Sequence, residues 1–341
     1  MKNDDIATPP IHKIRINSLD ALKCLGILLV IEGHILEYGI GIKVYDSLSR
    51  LMLYSFNMPI FFFVSGYLAY KDNMGVKKIG NKLWQKFLFL VIPVVIVRLF
   101  SDLLHGDNPL NVLHNGYGSY WFTITLFECF LIYYLVAMAI KCIGVQMIIL
   151  AAFALLCIGL LSIYGKFGPA LLDINRLTKY FQYFFFGLLA MRYKNIYERT
   201  MHNEWLKAIC VLGFFALLFT INRPIWPASV FHMLRDLVLR YFGTFIVVSI
   251  FVCRGQIFDK DTCVNKVISF IGKKSLAIYL LHYFFIPHFE IRPDWMNGFD
   301  EMTCHIISFA YTIIITMVCL ILISLLSNSK IIRKYVLGQK I

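Results

Sequence analysis

Ten apolar runs, each long enough to cross a bilayer, follow one another along the chain near residues 19–38, 48–70, 85–104, 119–140, 145–164, 177–193, 206–222, 230–252, 268–288 and 303–326. Hydrocarbon offers no partner to a backbone N–H or C=O, so such a run satisfies its own polar groups by coiling into an α-helix. The expected fold is an all-α polytopic membrane protein, a bundle of about ten transmembrane helices. Residues 1–18 read as a short lead-in, 19–326 as one transmembrane domain and 327–341 as a short tail. With 59% hydrophobic residues the chain lies well outside the usual soluble composition of about 45–50% apolar. The first run carries Lys23 and His34 and is followed by no small-residue cleavage pattern, which argues for a retained span over a removable signal segment.

The net charge of +13 belongs to the loops of such a bundle and not to a nucleic-acid surface. With the N-terminus inside, 22 basic residues fall on the cytoplasmic side and seven outside, Arg50 counted among the seven. That asymmetry orients the bundle, and an even number of spans then places both termini in the cytoplasm. Nine cysteines lie mostly within apolar runs and show no CxxC spacing, so they read as small buried hydrophobes; neither disulfides nor a metal site is expected. The outside segment HGDNPLNVLHNGYGS at 105–119 is rich in turn formers, and the segments at 165–176 and 222–231 read as ordered connections.

Chemistry concentrates in the first run. Asp20–Tyr38, DALKCLGILLVIEGHILEY, contains Lys23, Glu32, His34 and Glu37. An ionisable group within a span costs roughly 2.5–3.5 kcal/mol on insertion scales, so it marks a functional candidate. On a helix Lys23, Ile27, Val30, His34 and Glu37 or Tyr38 share one face, which should look into protein or water. Glu32 lies off that face and reads as structural. Eleven residues separate Lys23 from His34, roughly 16 Å along the axis.

Later runs add candidates with two readings each. In SFNMPIFFFVSGYLAY, residues 55–70, Pro59 and the small Ser65 and Gly66 suit a kinked, closely packed helix, while Asn57, Ser65 and Tyr67 also suit a pocket wall. Trp121, beside Tyr120, fits an interfacial aromatic belt or a platform for a sugar ring. Arg235, Asp236 and Arg240 form either a structural ion cluster or a substrate contact. Ser275, Tyr279 and His282 share a face of the ninth run, where His282 serves a helix-to-helix hydrogen bond or a pocket. On residue types alone, a transporter or flippase using Lys23, His34 and Glu37 as a polar relay competes with an enzyme, although no two-fold internal similarity of the transporter kind is present.

Three segments taken together, LDALKCLGILLVIEGH (19–34), FNMPIFFFVSGYLAY (56–70) and KKSLAIYLLHYFFI (273–286), resemble the acyltransferase 3 family in content and order, with YWFTITLF (120–127) as a weaker fourth. These are ten-helix integral-membrane O-acyltransferases that modify cell-surface sugars. The family pattern of a basic residue, ten residues and then His is met by Lys23 and His34, with Lys where most members carry Arg. An Arg pair common before the third span is replaced here by Lys82 and Lys86.

The resemblance implies an acyl-CoA donor, usually acetyl-CoA, entering from the cytoplasm, and a glycan or lipid-linked sugar as hydroxyl acceptor near the outer face of a bacterial inner (plasma) membrane. No permanently bound cofactor and no nucleic-acid partner are implied; membrane lipids surround the protein, and self-association into a homo-oligomer stays open. Lys23, Lys82 and Lys86 are the expected phosphate contacts, a role that a solvated lysine loop matches equally. His34 is expected to act as general base on the acceptor hydroxyl, and Glu37 to orient its ring or hold acceptor hydroxyls. Asn57, Ser65, Tyr67, Trp121 and His282 are expected around the acceptor. Direct transfer and a covalent acyl-histidine remain alternatives.

Overall fold

The computed structural model describes residues 17–42, 47–72, 75–105, 118–164, 174–220, 228–287 and 298–339. Lead-in residues 1–16, the 106–117 part of the turn-rich outside segment and the connections at 165–173 and 221–227 lie outside the described residues. The described residues form helices and contain no strand.

Helix α1 (Asn17–His34) runs on as a π-helical turn, Ile35–Ile40, and stops at Gly41, whose φ of 84° favours a residue without a Cβ. Helix α2 (Leu48–Ala69) is capped by the Ser47 hydroxyl, which accepts from the Arg50 N–H. Helix α3 (Val76–Lys86) passes through a second π turn, Phe87–Val91, into α4 (Ile92–His105). After a 3₁₀ turn come α5 (Trp121–Ala139), α6 (Ile143–Tyr164), α7 (Ile174–Arg192), α8 (Lys194–Met201) and α9 (Glu204–Leu218). Helices α10 (Ala228–Cys253), α11 (Gly255–Phe258), α12 (Cys263–Leu281), α13 (Glu301–Leu326) and α14 (Lys330–Tyr335) complete the bundle. Asp300 caps α13 by accepting from the Thr303 N–H, and hydrogen bonding from the Thr303 side chain, with that backbone bond, holds its carboxyl below the ordinary value.

Each of the ten apolar runs coincides with a helix. The third begins earlier than expected, because the lysine-rich stretch from Val76 is itself helical and joins it. Among the described residues, six helical segments are long and apolar enough to cross a membrane: α2, Val76–Leu104, α5, Ile143–Leu160, Phe231–Cys253 and α13. Helices α8 and α9, bent at 64°, form a seventh if they count as one span.

Helices α1, α7 and α12 fall outside that group and carry three charged residues each. For α1 its place in the bundle accounts for this. In α1, 13 of 18 residues are buried. Only 28% of the Val76–Leu104 and Ile143–Leu160 windows is buried, so those helices lie at the periphery. These peripheral helices shelter α1, whose Asp20 and Lys23 meet each other inside the bundle.

Two glycine contacts set the central spacing. A Cβ on Gly272 of α12 would lie 2.0 Å from the Asp20 carbonyl oxygen of α1, and one on Gly66 of α2 would lie 1.9 Å from that of Phe184 in α7. Both helix pairs approach backbone to backbone, as small residues permit. Direction follows from contacts at the two ends of each pair. Helices α1 and α12 run parallel, with Asp20 beside Gly272 at one end and His34 beside His282 at the other. Helix α2 is antiparallel to α1, since Phe61 meets Gly26 and Arg50 meets Gly33.

Candidate functional site

The parallel pair α1 and α12 builds the site. At its lower end the Lys23 ammonium lies 2.7 Å from a carboxylate oxygen of the buried Asp20. Lys23, Lys86 and Lys273 line a cavity of about 230 Å³ together with Ser65, Ser275 and Tyr279. Three cations at one mouth make it attractive to an anion. The Lys86 ammonium sits 3.9 Å from the centroid of Phe130, a cation–π contact that steadies it inside the bundle. Apolar side chains, among them Met58, Phe61 and Phe122, form the cavity wall.

Tyr279 links this cavity to the histidines. Its hydroxyl accepts from the Phe122 N–H at 3.3 Å, and its ring lies 5.7 Å from that of His282. The His282 ring in turn stacks on His34, with centroids 5.5 Å apart and planes at 28°. The two histidines stand in apolar runs far apart in sequence, and nothing in either run points to the other. Their meeting follows from the parallel packing set by Gly272. His282 is buried, and its Nδ1 donates to the Tyr279 carbonyl at 2.7 Å. That bond fixes the tautomer, so Nε2 is the lone-pair nitrogen, and it is buried without a partner.

His34 sits where α1 loosens into its π turn. The wider turn lays Tyr38 against it at 5.6 Å, and Tyr283 meets the same imidazole edge-on at 6.0 Å. Glu37, expected to orient the ring or to hold acceptor hydroxyls, accepts from Arg50 Nη2 at 2.9 Å. Arg50 was assigned to an outside loop by sequence; it is a buried residue of the first turn of α2 and covers Gly33. Trp121 stacks on Tyr180 at 5.2 Å under the Arg176 guanidinium, 4.8 Å from its ring centroid.

The other predicted site residues lie elsewhere. Lys82 is one turn before Lys86 on α3 and does not line the cavity. Asn57 is buried and accepts from the Met58 N–H at 2.7 Å. Tyr67 packs with Phe63 and Tyr197. Arg235 pairs with Asp236 at 2.9 Å, and Arg240 is buried near the Tyr54 ring. Asp20 was missed as a partner of Lys23, although its i, i+3 spacing carries that signal. Glu32, read as structural, lies against His305, a residue sequence reasoning passed over. A larger cavity of about 520 Å³ among α7, α8, α9 and α10 has no charged residue in its lining.

Residues 16–328 match a protein-family description, the acyltransferase domain Acyl_transf_3, and the chain belongs to that family. No curated protein and no solved structure matches the chain.

Proposed function

We propose that this member of the acyltransferase domain family is an O-acetyltransferase of the bacterial inner membrane, moving an acetyl group from cytoplasmic acetyl-CoA to a hydroxyl of a cell-surface or exported glycan. The observation that carries the reading is an adjacency: Tyr279, which lines the three-lysine cavity, packs against His282, which stacks on His34. The phosphates of CoA suit Lys23, Lys86 and Lys273. The apolar cavity suits the pantetheine arm, which is comparable in length to the roughly 16 Å between Lys23 and His34. The thioester then reaches the histidines while the charged end of CoA stays at the cytoplasmic face.

At the histidines, His34 acts as general base. It takes the proton of the acceptor hydroxyl as that oxygen attacks the thioester carbonyl, and the thiolate leaves toward the cavity. His282 packs on its ring and presents Nε2 as a further acceptor. Ten spans with both termini cytoplasmic accompany this reading. The excess of 22 basic residues over seven supports the orientation, and the parallel α1 and α12, first and ninth in the series, have the relative direction that ten alternating spans require.

The test is transfer of radiolabelled acetyl from CoA to a glycan by purified protein. His34→Ala is expected to lower kcat by about 10²–10⁴-fold, the usual contribution of a general base. Retained transfer in a well-folded His34→Ala protein, or glycan movement across vesicles without acetylation, would turn the assignment toward transport.

A further inference from the structure

A second constellation lies on the other side of α1, at the end of the helix opposite Lys23. His305, one turn into α13, places Nδ1 3.1 Å from Glu32 Oε1 and Nε2 2.6 Å from Ser49 Oγ. A carboxylate can only accept, so Nδ1 carries the proton toward Glu32. In the neutral ring Nε2 then holds the lone pair and can accept from the Ser49 hydroxyl in place of the Glu301 carboxylate. Two consecutive helices, α1 and α2, and the sequence-distant α13 thus bring carboxylate, serine and imidazole into the order of a nucleophilic triad.

We propose that Ser49, His305 and Glu32 form a serine acyl-transfer centre distinct from the His34 site, accepting the acyl group of an ester or thioester as a Ser49 ester. The surroundings suit a nucleophile. Ser49 is half-buried, and the His305 side chain is 17% exposed, so a substrate carbonyl can approach. Ser49 lies in the first turn of α2, where the helix dipole is positive, and the neighbouring Arg50 is buried with its Nε lacking a partner. The Glu301 carboxylate also touches the hydroxyls of Ser49 and Ser47 and is a second acceptor for the Ser49 proton. Ser47 Oγ lies 2.8 Å from Ser49 Oγ and accepts from the Arg50 N–H, which seats the serine pair at the helix start.

The chemistry balances without a further reagent. Ser49 Oγ bonds to the carbonyl carbon as the bond from that carbon to the leaving oxygen or sulfur breaks. The hydroxyl proton passes to His305 Nε2 and from there to the leaving group, while Glu32 opposes the imidazolium charge. In the second half, a water or sugar hydroxyl gives its proton to Nε2 and attacks the Ser49 ester. Ser49 Oγ leaves and takes the proton back. This centre does not depend on the CoA reading of the His34 site.

Its test is covalent labelling of the full-length protein in detergent. Treatment with p-nitrophenyl acetate or with a fluorophosphonate, followed by peptide mass analysis, is expected to place an acetyl or phosphonyl adduct on Ser49. The adduct should vanish in Ser49→Ala and form at least about a hundredfold more slowly in His305→Gln, as for triads elsewhere. His34→Ala should retain it, which separates this centre from the first. The wild-type measurement needs no variant to fold: adducts confined to other residues overturn the proposal. So does labelling of Ser49 at an unchanged rate in monodisperse His305→Gln, which would leave a structural bridge between α2 and α13.

Discussion

Lys23 shows how a single charge is kept inside a membrane bundle. It is neutralised by Asp20 one turn away, yet it still faces a cavity with two other lysines. Lys23→Gln removes one charge-assisted contact, an interaction of about 1.5–3 kcal/mol, so KM for acyl-CoA should rise about tenfold or more with kcat nearly kept. Initial rates against donor concentration check this; a fall in kcat at unchanged KM would place Lys23 outside donor binding. Arg50 makes a different demand, because its guanidinium is buried while its partner Glu37 is 38% exposed. Arg50→Met should therefore cost about 1–3 kcal/mol, less than breaking a fully buried pair, and appear as a lower melting temperature in detergent. His34, Lys23 and His282 were legible because an ionisable group in an apolar run stands out against its neighbours. Ser49 and His305 were not. Each lies near the end of a span, where a polar residue is ordinary, and only the folded chain reveals what it touches.

Elements were read well where hydropathy marks them and less well where it does not. The stretch from Val76 to Lys86 looked like a charged loop, but its apolar positions form one stripe, with Ile79 buried, and it continues as a helix into the next span. The π turn after His34 leaves no mark in the apolar pattern, although it brings Tyr38 onto the histidine ring. Glycines at the crossings carry the register between helices. Gly272→Ala sets a methyl 2.0 Å from the Asp20 carbonyl, so α12 must move off α1. A stability loss of about 1–3 kcal/mol is expected, with acetyl transfer falling because His282 no longer stacks on His34. Thermal melting and activity of the same preparation test both; a variant as stable and active as wild type would show that the contact yields.

At the scale of the whole molecule, the spans α2 and α5 are mostly buried beside the charged α1, while Val76–Leu104, Ile143–Leu160, Phe231–Cys253 and α13 lie mostly unburied on the rim. The ten spans proposed above require both ends of the chain on one side. Fusion of a fluorescent protein to the C-terminus should give fluorescent cells, and a periplasm-dependent phosphatase fused there should stay inactive; an active phosphatase would mean an odd number of spans. Sequence alone determined that the chain is helical and membrane-embedded, because the cost of exposing backbone or charge to hydrocarbon acts locally, on each run by itself. Which groups meet was decided only by tertiary structure: His34 with His282, Arg50 with Glu37, and Glu32 with His305 and Ser49. Those pairings depend on how closely two helices pack and in which direction each runs, and neither quantity is encoded in the hydropathy of one segment.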